Sequence, residues 1–423
     1  MKSRFRLILA LFAAFALAFA LVACNGDDPG NDNGNDVGND NGNDAVVVDP
    51  EDRTELVIGF GGPLTQGSVA FGQGALRATQ LAVAQANESA EAEELGIYFT
   101  IEQADDMSIA DTGVQAANLL VANRDLVGVV GHFNSAVSLP ASVVYHEHGV
   151  VMISYGSTNP EVTARGLENT FRTCATDALQ GPFGAEAAKA HGFETVVIID
   201  DSSIYGQGLT AAFTERWVEL GGEILDTDST QQGQNDFTPV VTAINALNPD
   251  FVYFGGTSDA DTGAGSLFAR QLADGGFEGP MFGGDGIQNQ VFIDEAGAEQ
   301  ADGTIATKPG APIEDFDMGE QFIAEYTAMH PGYNPDGFDA FAFDAANAII
   351  KATFEVAREM GAENVASTEG RRAVIEAVAG INFMGITGQI SFDENGDNEN
   401  PVITAFLVSD GTWIACPTVH YYR

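Results

Sequence analysis

Positive charge is what this 423-residue chain has least of: 17 Lys and Arg stand against 61 Asp and Glu, and Lys2, Lys189, Lys308 and Lys351 are its only lysines. A formal charge of -44 repels phosphate backbones and anionic bilayers, which argues against nucleic acid and against anionic membrane surfaces as partners. An acidic, lysine-poor surface suits either a saline exterior or a merely acidic extracytoplasmic protein. Cysteine is scarce as well. Apart from Cys24 there are only Cys174 and Cys416, with no CxxC pair and no zinc spacing, and their separation leaves open a disulfide or two buried thiols. The six histidines are scattered, and the one close pair, His146 and His148, falls at an expected helix end where a solvated face is the better reading than a metal site. GxSxG, HExxH, P-loop and Rossmann fingerprints are all missing. With neither a nucleophile–base pair nor a metal constellation, an enzyme is the least favoured class, and no metal or cofactor is expected.

What is present begins with a basic start, Lys2, Arg4 and Arg6, followed by uninterrupted apolar sequence from Leu7 to Ala23. That order reads as a secretory signal over residues 1–24. Leu21-Val22-Ala23-Cys24 resembles the lipobox of bacterial lipoproteins, which implies cleavage before Cys24, a diacylglyceryl group on its sulfur and an extracytoplasmic, membrane-anchored protein. A retained transmembrane anchor is the alternative, for which the apolar run is marginal in length. Residues 25–51, rich in Gly, Asn and Asp, have nothing to bury and read as a disordered tether, with an r.m.s. reach of roughly 30 Å.

The body alternates strand and helix with short loops, from Leu56–Phe60 through the helix Gly263–Ala273, which argues for parallel sheets covered by helices. So many strands suit two sheets better than one, with a break after Phe171-Arg172-Thr173-Cys174. Beyond Lys308-Pro309 long amphipathic helices are expected at Met318–Met329, Phe338–Met360 and Thr368–Val378, then short extended pieces to the end. Phe392-Asp393-Glu394-Asn395-Gly396-Asp397 has its Gly too early for a calcium loop and reads as a tight turn.

The stretch from Leu126 to Gly166 looks most like a ligand site. Two apolar strands end there, one at Gly131 with Asn134-Ser135 opening a helix, the other at Ser154 with Gly156-Ser157-Thr158-Asn159-Pro160 opening another. Hydroxyls beside helix-start amides, beyond the carboxyl ends of parallel strands, suit an anion such as a carboxylate. Ser135 and Thr158 as ordinary N-caps is the competing reading.

Several short marks, in order, carry a family resemblance: Gly131-His132 with Ser135; Thr158-Asn159-Pro160-Glu161; Tyr205-Gly206-Gln207-Gly208; Asp236-Phe237; Asp250-Phe251-Val252-Tyr253 with Gly255-Gly256; Thr307-Lys308-Pro309; and Phe392 to Asp397. From about Glu55 onward the chain resembles a type I periplasmic binding protein of the branched-chain amino acid (leucine/isoleucine/valine) class, the substrate-binding subunit of an ABC importer. The resemblance implies an α/β fold of two lobes, each a mostly parallel sheet flanked by helices, joined by three hinge crossovers. Residues 52–176 plus 308–401 would form lobe 1, and 177–307 plus 402–423 lobe 2.

Carried over by position, Ser135 and Thr158 hydroxyls with the Gly156, Ser157 and Thr158 stretch would take a ligand α-carboxylate. Asp285 would take the ammonium, and Tyr205 and Phe71 would line the pocket. Thr257 stands where branched-chain binders can carry Tyr, and Asn134 where some relatives have a Cys, which alters the side-chain preference. The implied protein is a monomer that hands an amino acid to membrane permease subunits. Two other readings stay open: the same fold holding urea or a short amide, for which Asp285 would matter little, and a ligand-sensing module for a signalling partner, for which permease and ATPase genes would not lie beside it.

Overall fold

The computed structural model describes residues 53–231, 233–259, 261 and 263–418, with the backbone of 421–422. The expected signal, Cys24 and the tether lie outside the described residues. No helix among the described residues is long and apolar enough to cross a membrane.

Strand β1 (Thr54–Gly62) is buried from Leu56 onward because its alternate side chains feed two cores. Leu56, Ile58 and Phe60 pack with helices Val69–Glu88, Gly337–Met360 and Thr368–Ala379, while Val57 joins helices Ala110–Val121 and Ser135–Glu147 on the other face. A strand covered on both faces must be apolar at every position, which is why this segment reads as a continuous run. β2 (Ile97–Asp105), β3 (Leu126–Val130), β4 (Val151–Ser154) and β5 (Thr170–Arg172) complete a parallel sheet in the order β2-β1-β3-β4-β5.

β6 (Thr195–Asp200), β7 (Glu223–Ser229), β8 (Phe251–Gly255), β9 (Met281–Gly283) and β10 (Ile305–Pro309) form a second parallel array, ordered β7-β6-β8-β9-β10. Here too the period of two serves two cores: Val197, Ile199, Val252 and Phe254 on one face, Val196, Ile198, Phe251 and Tyr253 on the other. After a small hairpin of β11 (Phe383–Gly385) and β12 (Gly388–Ile390), the chain adds β13 (Ile403–Ser409), β14 (Thr412–Ala415) and β15 (Tyr421–Tyr422) to the second sheet, all antiparallel.

Three connections join the sheets, after Arg172, after Pro309 and after Asn398, and they are tied together: Asn398 Nδ2 donates to Thr173 O at 2.9 Å and Gly310 N to Val402 O at 2.7 Å. In both sheets the strand order reverses, at β1/β3 and at β6/β8, and crevices at such reversals hold ligands in open α/β sheets. Both reversals present carboxyl ends of strands to the same cleft.

Two details differ from the sequence reading. The helix expected to open at Gly156–Pro160 is only a three-residue 3-10 turn, Pro160–Val162. Strands β9 and β10 and the helix Gln290–Ala296 were not expected as such. Cys174 and Cys416 are both free and buried. Phe392 to Asp397 is a turn, closed by Asp393 N to Asp397 O at 2.9 Å.

Candidate ligand-binding site

One side of the cleft is built where β3 and β4 end. Ser135 is the first residue of its helix rather than the cap; Asn134 holds the cap position without a side-chain capping bond, and Ser135 Oγ instead accepts from Asn159 N at 3.3 Å. That bond joins the two loops. A buried cation lies beneath the second loop. Arg172 Nη1 donates to Ser157 O at 2.7 Å and Asn159 O at 2.9 Å, Nη2 to Pro160 O at 3.3 Å, and Nε pairs with Asp397 at 2.5 Å. The Asn159 and Pro160 carbonyls also accept from Val162 N at 3.1 Å and Ala164 N at 3.2 Å, so one short turn forms over the guanidinium. Gly156 lies so close to Phe133 that a Cβ would stand 2.3 Å from the ring, so only glycine fits.

The opposite side comes from the ends of β6, β8 and β9. Ser203 caps the helix Ile204–Glu219, accepting from Gly206 N at 2.9 Å, and so fixes Tyr205 in its first turn. The Tyr205 hydroxyl donates to Asp285 Oδ1 at 3.0 Å and accepts from Gly286 N at 3.0 Å, and Gln180 Nε2 donates to the same Asp285 oxygen at 2.8 Å. Burial pushes the Asp285 carboxyl up to about 6, with the Gln180 and Tyr205 bonds and the Lys308 charge opposing it. Its neighbour Asp177, fully buried in the first turn of helix Asp177–Ala190, is pushed well above the ordinary carboxylate range by burial and then by Asp285. The Thr158 hydroxyl is near enough to oppose that rise, yet neither it nor either Asp177 oxygen has a well-formed hydrogen bond. Of the two carboxyls, Asp177 is thus the harder to ionise, and Asp285 is the one this wall offers to a cation.

The two sides meet around a cavity of about 20 Å³ walled by Phe133, Asn134, Ser135 and Gly156 on one side and Tyr205, Thr257, Asp285 and Gly286 on the other. Ligand sites for drug-sized molecules run to roughly 300–1,000 Å³, so the faces stand close together in this conformation. Ser135, Gly156, Tyr205, Thr257 and Asp285 are thus brought together. Ser157, Thr158 and Phe71 are not in the wall. Ser157 Oγ is occupied with the Phe133 carbonyl at 2.8 Å and with Ser138 Oγ at 2.7 Å, and Thr158 is buried beside Asp177. Phe71 stacks behind Phe133 at 4.6 Å and meets Phe338 edge-on at 5.4 Å, so it backs the wall from the core. Sequence reading misses Asp177 and Gln180 as site residues, seeing there only a helix that follows the break between lobes. The one available signal is an Asp and a Gln three apart in a stretch that is otherwise uncharged and apolar as far as Ala185.

With this geometry in hand, comparisons are informative. A family model described as periplasmic binding protein matches residues 55–412. "Leu/Ile/Val-binding protein homolog 2" of Brucella abortus (strain 2308) is 31% identical over 348 residues, covering 81% of this chain and 87% of that protein. An "Amino acid binding protein" of Pseudomonas aeruginosa is 31% identical over 302 residues, 70% of this chain and 78% of that one. Among solved structures, a leucine binding protein of Thermotoga maritima superposes with a TM-score of 0.75 at 26% identity over 86% of this chain and 98% of its own. A solute binding protein of R. palustris in complex with benzoate has a TM-score of 0.74 at 17% identity, over 88% and 98% of the two chains, so the fold alone does not choose the ligand.

Proposed function

This chain belongs to the periplasmic binding protein family, and we propose that it is the substrate-binding subunit of an ABC importer that takes an amino acid with an aliphatic, branched side chain between two closing lobes. Its relatives are binding proteins of transporters, not enzymes. The observation that carries the ligand reading is the single cavity with Ser135 and Gly156 on one wall and the Tyr205–Asp285 pair on the other. An amino acid is a zwitterion, and it needs an anion-binding end facing an acidic end at the distance of one α-carbon. Charge-assisted hydrogen bonds contribute roughly 1.5–3 kcal/mol each, and burying an aliphatic side chain adds roughly 1.5–3 kcal/mol. After the costs of closure, micromolar or tighter binding follows, about -8 kcal/mol.

In this reading residues 52–176 with 308–401 form one lobe and 177–307 with 402–423 the other, a division supported by the two separate sheets, except that strand β10 carries Lys308 and Pro309 into the second sheet. Thr158, Ser157 and Phe71 shape the pocket from behind its wall. The protein works outside the cytoplasm as a monomer, tethered through lipid on Cys24, a reading that rests on the basic, apolar and LVAC order of residues 1–24. Titration calorimetry with leucine, isoleucine and valine tests the ligand reading. Dissociation constants of micromolar or below are expected, and no heat with any of the three at micromolar protein would overturn it.

A further inference from the structure

Beneath the β1–β4 ends lies a buried polar chain that touches none of the cavity walls through its side chains. Asp106 follows β2, His132 follows β3, and Tyr145 lies in the last turn of the helix Ser135–Glu147; all three are fully buried. His132 Nδ1 stands 2.7 Å from Asp106 Oδ2 and Nε2 3.0 Å from the Tyr145 hydroxyl. A carboxylate can only accept, so Nδ1 donates to it, and Nε2 pairs with the Tyr145 hydroxyl, which burial and the Asp106 charge keep neutral. Both ring nitrogens are thus held and the imidazole has one orientation. It rests flat on the end of β1, where a Cβ at Gly61 would come within 2.5 Å of the ring. Asp106 is fixed in turn, its amide donating to Gly62 O at 3.0 Å and its Oδ1 accepting from Ser108 N at 2.9 Å.

What the locked ring delivers is its own main-chain carbonyl. His132 O accepts from Ser154 Oγ at 2.7 Å and from Ser138 Oγ at 3.2 Å. Ser154 Oγ in turn accepts from Ser157 N at 2.9 Å, and Ser157 Oγ returns to Phe133 O at 2.8 Å. Ser138, Ser154 and Ser157 thus converge on one carbonyl, whose place is set by a ring pinned at both ends, and the direct bond from Ser157 Oγ to Phe133 O stands beside it. A buried network of this kind is satisfied as a unit or fails as one.

Building on the amino-acid reading above, we propose that Asp106, His132 and Tyr145 are positioning residues for the carboxylate end of the ligand, acting through the His132 carbonyl and the Ser154 and Ser157 bonds. They touch no ligand atom, and the Tyr205–Asp285 wall is independent of them.

Tyr145→Phe, which keeps the ring packed, tests this in the full chain. Hydrogen exchange without ligand should quicken at the amides of 133–136 and 156–159 and stay unchanged at 283–286, and the leucine dissociation constant should rise about tenfold. In double-mutant cycles by calorimetry, Tyr145→Phe should be non-additive with Ser135→Ala and additive with Asp285→Asn. His132→Asn, which keeps a donor toward Asp106, should recover part of the affinity lost in His132→Ala. Exchange in those two loops equal to wild type, or quickened evenly over the whole chain, overturns the proposal, as does additivity with Ser135→Ala. Should the unaltered protein bind no amino acid, the functional reading falls while the exchange measurement still decides the role of the three residues.

Discussion

The Tyr205 hydroxyl bridges Asp285 to its own backbone: it donates to Asp285 Oδ1 and accepts from Gly286 N, both at 3.0 Å. The carboxylate is therefore aimed before any ligand arrives, which removes part of the ordering cost of binding.

Loss of that carboxylate separates the two ligand classes the fold could serve. An ammonium group needs the charge, and Asp285→Ala should weaken leucine binding by roughly 10- to 150-fold, the range of a lost charge-assisted bond. Urea or a short amide has no ammonium to lose, so its affinity should hardly change. Tyr205→Phe should cost about tenfold for an amino acid, because the carboxylate keeps its Gln180 bond but loses its aim. Calorimetry on both variants reads the difference, and an unchanged leucine affinity in Asp285→Ala would remove the amino-acid reading.

Ligand affinity and the stability of the ligand-free protein should move in opposite directions with pH. Burial raises Asp285, Asp201 and Asp344 to about 6 and Asp339 to about 8, and it raises Asp177 as well. Unfolded carboxylates titrate near 4, so between about pH 4 and pH 8 these five carboxyls bind more protons in the folded chain and make stability fall as pH rises, opposed around pH 6.5 and below by His191 and His330, which burial lowers. Asp105, Asp236 and Asp250 are lowered and act in the opposite sense only near pH 4 and below. Going from about pH 7.5 to about pH 5, the ligand-free Tm should rise. Over the same interval leucine binding should weaken, by up to about tenfold per unit below pH 6, as Asp285 takes a proton. Thermal melts and calorimetry across that range check both slopes, and a leucine affinity flat over the interval would contradict the assignment of Asp285.

Asp397 is the partner of a cation that cannot leave. Arg172 is fully buried, with its Nη atoms spent on the Ser157, Asn159 and Pro160 carbonyls, and Asp397 supplies the balancing charge while also accepting from Thr163 Oγ1 at 2.8 Å. Asp397 is itself about a quarter exposed, which tempers the loss, so Asp397→Ala should destabilise by roughly 2–4 kcal/mol. Amino-acid affinity should fall too, since the Ser157–Pro160 loop hangs on the same guanidinium. Denaturant unfolding gives the first quantity, and a loss below about 0.5 kcal/mol, the level of an exposed ion pair, would show that Arg172 is compensated elsewhere.

The alternation of strands and helices was legible because each parallel strand must be apolar on both faces, as in Leu56–Phe60 and Phe251–Phe254. β9 was not: three residues, Met281–Gly283, set between Gly279-Pro280 and Gly284, carry too little pattern to stand out from a turn. Ser135, Gly156, Tyr205, Thr257 and Asp285 could be gathered by position in a family pattern, whereas nothing local marks Ser157 as a tie between loops or Phe71 as a backing residue. Those assignments depend on Arg172 and Phe133, which reach them only through the fold. Asp177 and Gln180 escaped for the same reason, as their cleft partner Asp285 lies more than a hundred positions away in sequence.

Among the described residues, hydrogen bonds from Ser68 and Asn159 cross the cleft between the faces that would part to admit a ligand. Ser68 Oγ donates to Asp259 Oδ2 at 3.2 Å, and Asn159 Nδ2 donates to the Ile204 carbonyl at 3.0 Å. Ser68 and Asn159 are anchored in the first sheet's loops, Asp259 and Ile204 in those of the second, so neither bond survives opening. Bonds made only in the closed form slow departure without affecting encounter, because ligand enters the open form. Ser68→Ala and Asn159→Ala should each raise the leucine dissociation rate by roughly three- to tenfold and leave the association rate within about twofold, with the double variant close to the product of the two. Stopped-flow binding followed by intrinsic fluorescence separates the rates. A change confined to association would mean that these bonds act on the open form, and the cleft would then need another closing contact.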